Sequence, residues 1–221
     1  MTRVRRVWGI GSPRTLRAHW MLHELDLDYE TRAILPRSDE MDDPELVRLT
    51  QRRKIPFFED GELRIGESGA IVLYLADRYR ERAVLAPEPG SVERARFEEL
   101  VFFILMELDA TALYVLRRHE GLPDVYGEAP AACDAARDYF ARMVGEIERR
   151  LADGRPHLLG DAFSAADVLL VSCLAWARFV GIALTPPLAA YQSLVAARPA
   201  FARAMSVNFP PEALAALARP R

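Results

Sequence analysis

Lys54-Ile55-Pro56-Phe57-Phe58-Glu59-Asp60-Gly61-Glu62-Leu63-Arg64-Ile65-Gly66-Glu67-Ser68-Gly69-Ala70-Ile71 is the stretch that decides the fold. It reads as a strand, a hairpin turn at Asp60-Gly61, a second strand, and a helix that continues through an apolar run to Leu75. An acidic residue and a hydroxyl open that helix. Unpaired amides in a first turn, together with the helix dipole, favour an anion there. Glu67 beside them offers the opposite sign. The pair suits a ligand with a carboxylate and an ammonium on adjacent atoms, the α-amino-acid end of a peptide.

Working back from this stretch, Pro36 to Leu49 is acidic and irregular, with a short helix from about Asp43. Tyr29 to Leu35 reads as a strand and Val4 to Ile10 as another. Between them Leu16, Ala18, Met21, Leu22 and Leu25 form a helical apolar stripe. Ser12 stands where an N-cap belongs and Pro13 at the first helical position, where its missing N–H costs nothing. The order to about residue 80 is β-α-β-α-β-β-α.

Working forward, residues 81–91 break every pattern, with Pro87, Pro89 and Gly90 close together, and are read as a linker. Residues 92–221 carry no strand signal and are read as an all-α helical-bundle domain. Val92 to His119 is one long helix, apolar all round from Leu100 to Met106 and therefore expected to be covered on more than one side. A loop runs from Gly121 to Pro130, then a more polar helix from about Ala131 to Leu151. Phe163-Ser164-Ala165-Ala166-Asp167-Val168 is a helix start with a capping box and a hydrophobic staple. Its helix runs to about Val180. Pro186-Pro187 and Pro199 open two more, and the tail from Phe209 carries no clear pattern.

The 221 residues suffice for two modest domains, and 51% hydrophobic with 28% charged residues is an ordinary globular composition. A net charge of -3 argues against a general nucleic-acid binder. The apolar run Val7 to Gly11 after Arg3, Arg5 and Arg6 is too short for a signal peptide, and no segment approaches the roughly 18 apolar residues of a membrane span. A cytoplasmic protein is expected. Cys133 and Cys173, far apart and each in a helical pattern, exclude a disulfide scaffold and a cysteine-rich zinc site, and read as packed thiols.

An N-terminal β-α-β-α-β-β-α unit with a proline opening its third strand resembles a thioredoxin fold. Joined to an all-helical domain, it resembles the cytosolic glutathione transferases, serine-type and bacterial-like. Four pieces carry the resemblance across nearly the whole chain: Ser12-Pro13 with Arg17 five residues after the serine, Lys54-Ile55-Pro56, Glu67-Ser68-Gly69-Ala70-Ile71 with Tyr74-Leu75, and Gly160-Asp161-Ala162-Phe163-Ser164-Ala165-Ala166-Asp167. Two places depart from the family pattern. Thr50-Gln51 and Arg53 stand where members usually carry Asn-Pro and a glycine. Asp39 to Glu45 is acidic where many relatives contact the glycine carboxylate of glutathione with a basic residue, leaving Arg37 and Lys54 as the nearest substitutes.

The resemblance implies an α+β protein that uses glutathione as co-substrate, binds no permanent cofactor and no metal, attacks a small hydrophobic electrophile, and pairs as a homodimer. It implies Ser12 as the residue that stabilises the thiolate. It implies a cis bond at Ile55-Pro56 that frees the backbone of Ile55 to pair with the tripeptide, and Glu67 and Ser68 for the γ-glutamyl end. Ile10, Phe103, Met106 and Trp176 are the implied electrophile-lining residues, equally readable as core. A free thiol of pKa about 8.5 is only about 3% ionised at pH 7, and lowering it by about two units needs about 2.7 kcal/mol. A helix N-terminus supplies about 0.3–1 kcal/mol, toward 2 when partly buried, and a hydroxyl bond to a charged partner about 1.5–3. The two together suffice. Local sequence alone makes Ser12 a helix cap, and the missing cysteine in Ser12-Pro13-Arg14-Thr15 argues against thiol–disulfide exchange.

Three signals are set aside. Gly9-Ile10-Gly11 fails the dinucleotide fingerprint at Arg14. His19 and His23, four apart, lack a third metal ligand and read as exposed residues beside an apolar stripe. Ser164 with Asp167 is explained by capping. Two other classes remain open: a non-catalytic binding or scaffold protein, and a glutathione-dependent isomerase, dehalogenase or peroxidase.

Overall fold

The computed structural model describes residues 4–217. By their contacts they form two compact units, residues 4–85 with 197–217, and residues 86–196. The first unit holds a four-stranded mixed sheet. Strands β1 (Arg5–Trp8), β2 (Glu30–Arg32), β3 (Phe57–Asp60) and β4 (Leu63–Gly66) lie in the order β2, β1, β3, β4. β1 runs parallel to β2 and antiparallel to β3, and β3 and β4 form the hairpin with Phe57 opposite Gly66 and Asp60 opposite Leu63. This is the thioredoxin-like arrangement expected from the sequence. β2 is shorter than the apolar run suggested, because Ala33 onward leaves the ladder and only isolated backbone bonds continue, from Gly9 to the Arg32 carbonyl and from Ile10 to that of Ile34.

Helices α1 (Pro13–Glu24), α2 (Pro44–Leu49) and α3 (Ser68–Arg78) complete the sheet unit, with a 3-10 turn at Asp39–Asp42 before α2. Asp43 caps α2 by accepting from the amides of Glu45 and Leu46 at 2.8 and 3.1 Å, as its position before Pro44 predicts. One face of the sheet buries Trp8, Ile34, Leu46 and Phe57 together. Burying each such side chain stabilises by about 1.5–3 kcal/mol. α3 is fixed by a buried acid: Asp60 accepts from the hydroxyls of Tyr74 and Tyr79 at 2.8 and 2.6 Å.

Helices α10 (Pro199–Asn208) and α11 (Pro211–Leu217) belong with this unit and not with the helices that precede them in the chain, so the units do not follow chain order. The reason lies on α1. Trp20 packs edge-on against Phe201 at 4.7 Å, and Arg198 clasps Glu24 with two bonds of 2.8 and 2.7 Å.

The second unit is helical among the described residues. α4 (Val92–Phe103) leads through a π-helical segment, Ile104–Leu113, into α5 (Tyr114–His119), so the long helix expected from the sequence changes its winding in the middle. Tyr114 donates to the carbonyl of Asp109, five residues back. The apolar girdle is not covered all round: Val101 and Ile104 are fully buried, but Phe102 and Met106 are 56% and 55% exposed. α6 (Pro123–Tyr126) is a single turn inside the expected loop, and α7 (Pro130–Leu151), α8 (Ala165–Phe179) and α9 (Pro186–Ala196) come next. α8 is buried along nearly its whole length, as its apolar composition requires.

Candidate functional site

The N-terminus of α3 is open. Glu67, at φ 64°, turns the chain into the helix without capping it with its side chain. Ile71 N–H already reaches the carbonyl of Glu67, yet the amides of Ser68, Gly69 and Ala70 have no acceptor among the described residues. Ser68 and Gly69 are buried, so water is a poor substitute. Beneath them Arg17, a fully buried arginine on α1, donates to Ser68 Oγ at 3.1 Å. Because an arginine only donates, the Ser68 hydroxyl keeps its own proton for another acceptor. Amides, dipole, hydroxyl and guanidinium all favour an anion at this point.

Glu67 supplies the opposing charge. It is exposed and paired with Arg52 at 3.2 Å, both side chains more than 70% exposed. An exposed pair of this kind is worth about 0–1 kcal/mol, so a ligand ammonium can displace Arg52 readily.

The Ile55–Pro56 bond is cis. The N–H and C=O of Ile55 have no partner among the described residues, leaving one extended residue free to pair with a peptide. Gly9 explains the tight approach of this loop to β1: a Cβ there would lie 2.6 Å from Ile55 Cβ and 3.0 Å from Thr15 Cγ2, and its φ is +110°. The glycines that imitate a dinucleotide loop are therefore packing glycines; Gly11 likewise lies against Leu35. Lys54 is exposed, and its ammonium has no partner among the described residues. Arg37 is half-buried at φ 62°.

Ser12 caps α1 in a closed local network. Its Oγ accepts the Thr15 amide at 3.1 Å, and its own N–H donates to Thr15 Oγ1 at 3.0 Å. The two hydroxyl oxygens lie 2.9 Å apart. Pro13 has no N–H, and the Leu16 amide goes to the Ser12 carbonyl. Unlike α3, then, the start of α1 has its Thr15 and Leu16 amides taken by Ser12, and what it offers an anion includes the half-buried Ser12 hydroxyl with the dipole behind it.

His19, expected at the surface, is fully buried on α1 and pushed down to about 4 by burial. Its ring nitrogens meet the Gly9 carbonyl at 3.0 Å and the Tyr29 hydroxyl at 2.9 Å. Its role is to tie α1 to the end of β1.

The first unit thus gathers Ser12, Ile55, Pro56, Glu67 and Ser68 around the start of α1, the cis turn and the start of α3. The implied electrophile-lining residues divide: Ile10 is buried in the first unit, while Phe103, Met106 and Trp176 belong to the second, with Trp176 buried in α8 and Met106 exposed. Sequence reasoning passed over Arg52, Thr15 and Asn208, which touch site residues. Arg52 stands in the loop that departs from the family pattern, a signal that was there to use. Nothing near Asn208 points to Ser12.

Residues 4–77 match the glutathione S-transferase N-terminal domain and residues 128–205 the glutathione S-transferase C-terminal domain. The chain belongs to the glutathione S-transferase family. Glutathione S-transferase 1 of Schizosaccharomyces pombe is 29% identical over 167 residues, 73% of this chain and 69% of that protein. Among solved structures, a glutathione transferase from Methylococcus capsulatus superposes with a TM-score of 0.79 at 26% identity, covering 93% of this chain and 98% of the other. A sphingomonad glutathione S-transferase complexed with glutathione does so with 0.77 at 26%, covering 92% and 98%. In this family member the matched N-terminal segment contains Ser12, Ile55, Pro56, Glu67 and Ser68.

Proposed function

We propose that this family member binds glutathione and transfers its thiolate to a small apolar electrophile. The observation that carries the reading is the open start of α3, where three amides without an acceptor among the described residues and the Arg17-backed Ser68 hydroxyl stand beside the Glu67 carboxylate. The γ-glutamyl carboxylate sits on the amides and Ser68, and its ammonium on Glu67. The free backbone of Ile55 pairs with the middle residue, and Lys54 or Arg37 meets the glycine carboxylate. The sulfur then lies toward Ser12.

Ser12 stabilises the thiolate by turning its hydroxyl proton from Thr15 Oγ1 to the sulfur. The gain is a charge-assisted bond of about 1.5–3 kcal/mol less a neutral one of about 0.5–1.5, so roughly 1 to 1.5 kcal/mol, or about one unit of thiol pKa. That is about half of the shift the chemistry needs; the dipole of α1 supplies part of the rest. The thiolate forms the new carbon–sulfur bond with its own electron pair, and the electrophile's leaving group departs with the pair of the bond that breaks. The exposed Phe102 and Met106 are the proposed homodimer face.

A binding protein without turnover is the second reading, favoured by a Ser12 hydroxyl already engaged by Thr15. Calorimetry with glutathione, then turnover of a generic aromatic electrophile, separates the two. Binding lost in Glu67→Ala, and turnover reduced in Ser12→Ala, support the transferase. Absence of binding at millimolar glutathione overturns both readings, and binding with no turnover of any electrophile in a panel leaves only the second.

A further inference from the structure

The serine turn is tied down from the far end of the chain. Asn208, the last residue of α10 and fully buried, touches it three times. Its backbone carbonyl accepts from Gly11 N–H at 2.7 Å, its Nδ2 donates to the Ser12 carbonyl at 3.0 Å, and its Oδ1 lies 2.6 Å from Thr15 Oγ1. Donor and acceptor chemistry orients every proton in this chain. The Ser12 carbonyl can only accept, so the amide must turn its NH2 there and its oxygen to Thr15. That oxygen can only accept, so Thr15 gives it its one proton. The competing acceptor, the Ser12 carbonyl at 2.9 Å, already receives Leu16 N–H and Asn208 Nδ2. Thr15 Oγ1 is then left as a pure acceptor toward Ser12, taking both its N–H and its hydroxyl.

We propose that Asn208, acting through Thr15, is a positioning residue of the Ser12 site: it fixes the proton direction along the Ser12–Thr15–Asn208 chain, so that the Ser12 hydroxyl is always the donor. This inference rests on the proposed role of Ser12 toward the thiolate. When a thiolate arrives, the Ser12 proton leaves Thr15 Oγ1 for the sulfur, and nothing buried is stranded. Ser12 Oγ still accepts the Thr15 amide, Thr15 Oγ1 still accepts Ser12 N–H, and Asn208 keeps both of its side-chain partners. Without the Asn208 amide, Thr15 can turn its proton on Ser12 Oγ, and the Ser12 proton is then free for the sulfur with no bond to Thr15 to give up. The sequence separation of 193 residues between Thr15 and Asn208 makes this a tertiary device that local sequence cannot encode.

The test is the pH titration of the glutathione thiol bound to wild type, Ser12→Ala, Asn208→Leu, Thr15→Val and Thr15→Ser, monitored by the ultraviolet absorbance of the thiolate. Asn208→Leu and Thr15→Val, which release the Ser12 proton from Thr15 Oγ1, are expected to lower the thiol pKa by about half to one unit, while Thr15→Ser, which keeps the hydroxyl, titrates like wild type. Glutathione affinity is expected to stay within about threefold, since the tripeptide is held elsewhere. A purely structural role would lower the unfolding midpoint and leave the titration where it was; that result in the folded variants overturns the proposal. Should Asn208→Leu fail to fold, the near-isosteric Thr15→Val carries the same test. If Ser12→Ala moves the titration and neither Asn208→Leu nor Thr15→Val does, only the positioning role is lost. If Ser12→Ala itself moves nothing, the Ser12 reading falls and this one with it.

Discussion

Helices α1 and α8 begin alike. Ser12-Pro13-Arg14-Thr15 and Ser164-Ala165-Ala166-Asp167 each put a serine at the cap and a polar side chain three residues on. The identity of that later side chain separates them. Asp167, fully buried, accepts from Ser164 N–H at 2.7 Å, Ser164 Oγ at 2.9 Å, Leu158 N–H at 2.9 Å and Tyr191 OH at 2.6 Å. The Ser164 hydroxyl is thereby bound to a carboxylate in a dry core, and the Tyr191 phenol, raised by burial, stays protonated as the donor this requires. Ser12 instead shares its proton with a neutral hydroxyl at a half-buried position. A charged acceptor outside can outcompete a neutral one, but not an internal carboxylate. Two starts with one local grammar therefore differ in whether the serine is available.

The largest effect should come from cutting the α8 knot. Asp167→Ala strands four buried donors at once and should destabilise the protein by about 4 kcal/mol or more, read as a fall in the denaturant midpoint. A loss under about 1 kcal/mol would mean that the two starts are not different in kind. Next comes acid. The fold favours neutral His19, whose pKa falls from 6.5 to about 4, so unfolded chains bind the extra proton in that window. Stability from this group is present above about pH 6.5 and lost as pH falls toward 4, on the order of 3 kcal/mol in all. His19→Gln, which cannot titrate, should flatten that slope in unfolding curves taken across the window. An unchanged slope would place the acid response elsewhere.

Smaller again are the serines as caps. Ser12→Ala and Ser164→Ala should each cost about 1 kcal/mol, measured by denaturant unfolding. Stability alone thus should not tell them apart, which is why the comparison needs a chemical readout. Arg52→Ala should be smallest of all, within about 0.5 kcal/mol for so exposed a pair, while leaving or slightly improving glutathione affinity by freeing Glu67.

The fold was legible where one residue decides one local geometry. Pro13 after Ser12, Asp43 before Pro44, Asp60-Gly61 between two strands, and Ser164 with Asp167 all mark boundaries that the structure keeps. The return of α10 to α1 was not legible, because Trp20 with Phe201 and Glu24 with Arg198 meet across more than 170 residues, and each looks ordinary in its own window. Nor was the π winding at Ile104–Leu113, which leaves the apolar pattern unchanged and alters only which carbonyl each amide reaches. At the site, Glu67, Ser68 and the cis turn could be read from local chemistry and family resemblance together. The proton chain at the start of α1 could not: Thr15 three residues after the serine is visible, but its acceptor is Asn208.

The claim that Ser12, unlike Ser164, is held ready for a ligand is tested most directly by titrating the thiol of bound glutathione in Ser12→Ala and Ser164→Ala side by side. A rise of about one unit is expected in Ser12→Ala and none in Ser164→Ala, at comparable stability loss. Equal titrations in the two variants would contradict it.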